Sequence, residues 1–213
     1  MKHKYLNFWW IPTLVVSVLL NIFFLFQTPY TTGVKVIGVI DGDTVVLEGK
    51  SRVRLRYVDA PEKGLCGYEQ ASRELEKLVL GKSVRIEETI PDQYGRGMAV
   101  VYVGNTLVNK EMISSGWVRY HHDIASVTEA IKSASENAKE EKRGVYSVCE
   151  STVNTKNPTC TIKGNIDRQN HIYHLPGCVQ YESTVIEEDM GESWFCTEKE
   201  AVAAGFTKAR TCK

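Results

Sequence analysis

Five side chains in the first half of the sequence have the types and spacing needed to cleave a phosphodiester. Asp43 and Asp59 offer hard oxygen ligands, which suit Ca²⁺, a cation bound by carboxylates, backbone carbonyls and water. Arg54 and Arg96 offer guanidiniums, whose planar fork matches two phosphate oxygens and holds its proton at any working pH. Glu62 offers a carboxylate that can orient or deprotonate an attacking water. Each has an ordinary alternative when taken alone. Asp-Gly is the commonest hairpin signal, arginines alternating along a strand are often a solvated face, Gly-Arg-Gly occurs in plain turns, and an isolated Glu is usually surface.

The local sequence says how these groups are presented. Asp43 follows Gly42, where the backbone can bend tightly. Pro61 biases Ala60 towards an extended backbone, which points to the Ala60 carbonyl as a third cation ligand. Residues 52–57 alternate strictly, with Val53, Leu55 and Tyr57 on one face and Arg52, Arg54 and Arg56 on the other. That pattern predicts a half-buried strand carrying a small basic patch. Arg96 lies between Gly95 and Gly97, in a loop whose backbone can approach a ligand closely.

Read together, these segments resemble the staphylococcal nuclease (thermonuclease) family over about residues 36–149. The resemblance is carried by VIDGDT at 39–44, VRLRYVDAPE at 53–62, DQYGRG at 92–97 and KRGVY at 142–146. It implies Asp43 and Asp59 as Ca²⁺ carboxylates, the Ala60 carbonyl as a further ligand, and Asp41 as an acid acting from behind them. It implies Arg54 and Arg96 as phosphate-binding catalytic groups, Glu62 as the catalytic carboxylate and Tyr94 as an aromatic beside the bound nucleotide. The implied reaction is hydrolysis of DNA and RNA that leaves a 3′-phosphate. Exported relatives often carry a cysteine pair at the positions of Cys66 and Cys149, which implies that disulfide here. There are departures. Gln93 stands where a basic residue is common, and Tyr120, His121 and His122 stand near where the best-known member has tyrosines. The competing expectation is a non-catalytic nucleic-acid-binding module of OB type, anchored to the membrane. Retention of Asp43, Arg54, Asp59, Glu62 and Arg96 together argues for the enzyme.

The elements expected to position these groups are strands first and helices after. Strands are predicted at 34–40, 44–48, 51–58, 84–88 and 98–103. Ala71, Leu75, Leu78 and Val79 mark a helix stopping at Gly81, and 107–115 a shorter one stopping at Gly116. The longest helix is expected over 126–143, with Ser126 and Glu129 at capping-box spacing and Gly144 as its end. This is an α+β chain, and the family resemblance also implies a small five-stranded OB-type β-barrel with about three helices.

Residues 1–30 read as a separate segment. Lys2 and Lys4 precede an apolar run at 9–26 that is close to the minimum for a spanning helix. The expectation is an uncleaved, single-pass membrane anchor with the nuclease-like domain (31–150) outside the cytoplasm. Secretion after cleavage is the alternative, although no small-residue cleavage site follows the run. After a polar linker, residues 160–213 resemble the small "sunset" module, through IKGNI at 162–166, IYHLPGC at 172–178 and WFCTEKEAVAAGF at 194–206. Its four cysteines allow three pairings, of which Cys178–Cys196 with Cys160–Cys212 is the expectation in an oxidising compartment. A zinc site of His174, Cys178, Cys196 and Cys212 is the alternative, without the close spacing of strong zinc motifs. Thr197 and Glu200 predict a capped helix ending near Gly205. If this module docks to the envelope or to DNA, its removal after Cys149 is expected to change location or capture and to leave the chemistry intact.

Charge adds little. The chain has 26 basic and 26 acidic residues, so it lacks the excess of positive charge that drives non-specific nucleic-acid binding. DNA, with RNA as a second substrate, is the expected partner, together with the membrane. No obligate protein partner is evident.

Overall fold

The computed structural model describes residues 14–21, 33–92 and 94–212. The chain divides into two units, residues 14–21 lying in the first and the other described residues in the second. In the first, residues 14–21 are helical and exposed, and the rest of the expected anchor lies outside the described residues. Among the described residues no helix is long and apolar enough to cross a membrane.

The second unit begins with strands β1 (Val34–Val39), β2 (Thr44–Leu47), β3 (Arg52–Leu55), β4 (Val58–Asp59), β5 (Ser83–Pro91) and β6 (Gly97–Val103). Antiparallel pairing runs in the order β3-β2-β1-β5-β6, and a parallel β3–β6 pairing returns the sheet to its start. Five strands therefore close into a barrel, which leaves no free edge along the seam. Val36, Val45, Val53, Leu55, Val84 and Ala99–Val101 are buried in the core that the barrel shares with its covering helices. Short strands β7 (Thr106–Leu107) and β8 (Arg119–Tyr120) follow, with β7 beside β6 and β8 paired to β4.

Three main helices cover the barrel. Tyr68–Val79 buries Ala71, Leu75 and Val79, one residue per turn. Val108–Ser115 buries Val108, Met112 and Ile113. It also sends Asn109, fully buried, to the seam. The Asn109 amide donates to the carbonyls of Arg56 and Ala99, and its oxygen accepts from the Val101 amide. Thr128–Glu140 buries Ile131, Ala134 and Ala138. Its expected Ser126–Glu129 capping box does not form. The Thr128 hydroxyl accepts from the Ala125 amide instead, and Ser126 bonds Glu88, because the bulge in β5 brings Glu88 within reach.

The C-terminal part adds β9 (Glu150–Ser151), β10 (Ile162–Asp167), β11 (Asn170–His174), β12 (Ile186–Glu187), β13 (Ser193–Phe195) and β14 (Thr207–Lys208). A four-stranded sheet, β13-β10-β11-β14, packs a small core of Ile162, Tyr173, Phe195, Ala201 and Phe206. The helix Glu198–Ala203 is capped as expected, with the Thr197 hydroxyl accepting from the Glu200 amide. β12 pairs with β9, and the Glu188 amide donates to the Cys149 carbonyl at 2.9 Å.

The disulfide Cys66–Cys149 is present as expected. The pairing expected within the C-terminal module is not. Cys160 joins Cys196, and Cys178 joins Cys212. The strand register decides this. Ile162 faces Phe195 across β10 and β13, which lays Cys160 beside Cys196. β14 runs parallel to β11, and the Ala209 amide then bonds the Tyr173 carbonyl, which carries Cys212 to Cys178. The zinc alternative falls with the same observation. All four cysteines are oxidised, and His174 Nε2 lies 3.1 Å from the Asn165 side-chain oxygen.

Gly116 ends the helix Val108–Ser115, whereas the helix Thr128–Glu140 stops at Glu141, short of the expected Gly144, which instead opens the short helix Val145–Val148; the two glycines touch. Both have positive φ, and a Cβ on Gly144 would lie 2.3 Å from the Gly116 carbonyl oxygen. Gly144→Ala is expected to cost roughly 2–3 kcal/mol of stability. Urea unfolding would show it as a lower midpoint at unchanged slope; an unaltered midpoint would contradict the close packing.

Candidate active site

The barrel closure assembles the site. Thr44 pairs with Arg54 across β2 and β3, and Arg54 pairs with Met98 across the parallel seam, two residues beyond Arg96. The Leu55 amide donates to the Asp43 carbonyl at 2.8 Å. Three segments distant in sequence thus meet at one end of the seam. Gly42 is needed there for space more than for a bend. A Cβ on it would sit 2.5 Å from that of Ala71 and 2.8 Å from that of Ala60, so the helix Tyr68–Val79 can lie directly on the Asp41–Asp43 turn.

Asp43 is the buried centre of this site, with only 2 % of its surface exposed. Its carboxylate accepts from the Thr44 hydroxyl at 2.7 Å and the Ala60 amide at 3.2 Å. Nη2 of Arg54 lies 2.7 Å from Asp43 and 2.8 Å from Asp59. Burial, and next the charge of Asp41, push the Asp43 carboxyl up to about 7 against the opposing pull of Arg54, Thr44 and Ala60. One guanidinium nitrogen thus lies between the two carboxylates. The donors are hard oxygens, which fit Ca²⁺ better than a thiolate- or imidazole-preferring metal. Among the described residues no three His, Cys, Asp or Glu side chains are grouped so as to hold a metal ion by themselves. A cation held by Asp43 and Asp59 would need backbone carbonyl and water as its remaining ligands. Asp41 accepts from the Asp43 amide at 3.1 Å, beside the pair. Ala60 meets Asp43 through its amide.

Arg96 stands on the loop between β5 and β6. Asp92 organises that loop by accepting from the amides of Tyr94 and Arg96, each at 2.8 Å, and from Arg96 Nε at 2.6 Å. Desolvation raises the Asp92 carboxyl, but the bonds from Arg96 and from the two amides outweigh it and hold it below the usual range. The Arg96 guanidinium lies 5.4 Å from the centre of the Tyr94 ring and within the field of Asp43 and Asp41. Tyr94 is 74 % exposed and offers an open ring face beside it. Asp92 was legible in the sequence only as part of a motif; its role as the loop's acceptor appears with the structure.

Glu62 is exposed and follows the buried Pro61. Its carbonyl accepts from the Leu65 amide at 3.0 Å, closing a turn that leads to Cys66. Among the described residues no other side chain pairs with its carboxylate.

Arg56 departs from the expected arginine face. The alternation stops at Leu55, because Tyr57 adopts φ 68° and the Arg56 amide turns to the Ala99 carbonyl. Arg56 is 4 % exposed. It grips Asp123 with two bonds of 2.6 and 2.7 Å and donates to the carbonyls of Glu88 and Ile124. The basic patch of Arg52, Arg54 and Arg56 is therefore absent. Asp123 lies 67 residues away, and no local signal marks it as a partner. Tyr120 also faces inward, stacked 6.2 Å from Tyr57, while His121 and His122 are exposed.

The family model described as staphylococcal nuclease homologue matches residues 52–148. Among similar proteins, an uncharacterized endonuclease of Haemophilus influenzae is 36% identical over 97 residues, which cover 42% of this chain and 54% of that protein. The chain thus spans about half the length of that relative. An uncharacterized endonuclease of Escherichia coli O157:H7 is 33% identical over 119 residues, 53% of this chain and 76% of that protein. Protein ParB of Escherichia coli is 34% identical over 127 residues, 53% of this chain and 71% of its own length.

The Arg56–Asp123 pair sets a pH signature. Arg56, and then the Ile124 amide, lower the Asp123 carboxyl against the cost of burial. A lowered carboxyl stabilises the fold above its unfolded value near pH 4, and that contribution is lost as pH falls through the lowered value. Asp123→Ala is expected to lose about 3 kcal/mol at neutral pH, since it strands a buried guanidinium. The gap from the unaltered protein should shrink below about pH 4. Urea unfolding across pH measures both, and a gap that does not depend on pH would refute the assignment.

Proposed function

The chain belongs to the staphylococcal nuclease homologue family, and from that premise we propose a Ca²⁺-dependent endonuclease that hydrolyses DNA and RNA outside the cytoplasm. The observation that carries the reading is the placement of Asp43 and Asp59 on a single nitrogen of Arg54, beside Arg96 at the barrel seam. Its neighbours in the family include proteins described as endonucleases.

Asp43 and Asp59, with the Ala60 carbonyl, would hold the cation, and Asp41 would add negative charge behind them. When bound, Ca²⁺ supplies Lewis-acid polarisation of a phosphate oxygen. The two carboxylates then no longer need Arg54, whose fork turns to the phosphate. Arg96, held by Asp92, binds the same group from the other strand. Both guanidiniums bind the crowded, more negative transition state better than the ground state. Glu62, unpaired and facing solvent, takes the proton of the attacking water. Tyr94 lies against the nucleotide with its exposed ring.

Three disulfides support an oxidising compartment. With the apolar run at 9–26, they support a single-pass anchor at 1–30, or secretion, with the sunset-like module on the same side as the nuclease part.

The test is digestion of plasmid and RNA by the oxidised protein, in Ca²⁺ and in chelator. Cleavage is expected only with Ca²⁺, and Glu62→Ala and Arg54→Ala should each lower kcat by on the order of 10²–10³. Folded protein that retains full rate in chelator, or after either substitution, would overturn the mechanism. Nucleic-acid binding without cleavage would leave a binding module.

A further inference from the structure

Asp59 has a cross-strand neighbour of opposite charge. In the β4–β8 pair Asp59 stands directly opposite Arg119. Directly opposed residues of an antiparallel pair project from the same face, with Cβ atoms about 5 Å apart. An arginine there is long enough to form an ion pair with Asp59, and Asp59 is half exposed and accessible to it. Yet the Asp59 carboxylate bonds Arg54, and Arg119 is turned elsewhere.

Three carboxylates hold Arg119. Asp189 takes two bonds, of 2.7 and 2.9 Å, and Glu187 takes one of 2.9 Å. Glu150 lies 3.1 Å away. The guanidinium also lies 4.9 Å from the centre of the Tyr146 ring. Asp189 is fully buried at the side chain. Two of the three acids belong to the C-terminal module, and β12 is fixed to β9 by strand pairing. One guanidinium therefore has more negative charge around it in the module than Asp59 alone can offer.

We propose that Asp189 and Glu187 of the C-terminal module withhold Arg119 from Asp59, so that a cation at Asp59 competes with Arg54 alone. Arg119 is a positioning residue whose effect depends on where it is held. The module is then a working part of the cation site. Its removal is expected to impair the chemistry, against the expectation that truncation after Cys149 leaves it intact. The inference rests on the cation reading of Asp43 and Asp59.

The test reads Ca²⁺ affinity by isothermal titration calorimetry of the full chain, without substrate. Asp189→Asn with Glu187→Gln should weaken binding about fivefold, the scale of a partly exposed ion pair. Adding Arg119→Met to that pair should restore it. Glu188→Gln, a neighbouring charge bonded to Lys156 and not to Arg119, should change nothing, which separates contact from the general field. If the paired substitution fails to fold, Glu187→Gln alone keeps the test, with a smaller shift in the same direction and the same rescue. Weakening without rescue by Arg119→Met would mean that the acids only stiffen β8, and would overturn the proposal. An unchanged affinity, or equal weakening by Glu188→Gln, would overturn it too. No Ca²⁺ binding by the unaltered protein would instead overturn the cation reading beneath it.

Discussion

A carboxylate buried under a barrel seam must be compensated, and Asp43 imposes that demand on everything near it. Burial of an unpaired charge costs several kcal/mol, so the surrounding chain supplies a hydroxyl from Thr44, an amide from Ala60 and a guanidinium from Arg54. These donors come from the Asp43 turn itself, from β3 and from the segment after β4. The β2–β3 pairing sets Arg54 opposite Thr44, beside the acid, and the parallel β3–β6 pairing delivers Arg96 to the same end. Even so, the balance stays short of positive charge, since Asp41 adds a second acid and the Asp43 carboxyl remains raised.

The arginines show how one residue type is sorted by its acids. Arg56, one turn of alternation past Arg54, meets Asp123 and becomes a structural tie between the barrel and the segment before the helix Thr128–Glu140. Arg54 meets two acids that also suit a cation, so its contacts are exchangeable. Arg119 meets three acids, two of them from the C-terminal module. The chain as a whole is neutral, so attraction for a polyanion cannot come from net charge. It must come from the few guanidiniums that are not already tied, together with any bound cation.

What could be read from the sequence follows the range of the interactions. Short-range features were legible: the apolar stripe Ala71, Leu75 and Val79, the glycine that ends a helix at 116, and the Thr197 cap. The acids and arginines of the site were legible because their spacing along the chain matches a known family, and so was Cys66–Cys149. Partners chosen by strand register or across the whole domain were not. The cysteines of the C-terminal module pair according to which residues of β10 and β13 face each other, which a count of cysteines does not contain. Arg56 read as a solvated face because the positive φ of Tyr57 that ends the strand has no signature in a β-favouring residue type. Asn109 gave no signal at all, although three of its bonds secure the seam.

Glu62 shows how the site combines a fixed frame with a free group. Asp43 and Asp59 are held by Arg54, and Arg96 by Asp92. Among the described residues the Glu62 carboxylate has no such bond, which suits the proton acceptor proposed for it. Freedom of the carboxylate need not mean freedom of the backbone. Pro61 is buried immediately before it, and the Leu65 amide closes the turn after it. Cys66 then ties that turn to Cys149, 83 residues away. Closing a loop of that length removes about 4–5 kcal/mol of chain entropy from the unfolded state in the entropic account. Locally it limits how far the turn can drift from Asp43. Reduction would therefore affect Glu62 before it affected Asp43 and Asp59, because the carboxylate that is held least by side chains depends most on the covalent tether.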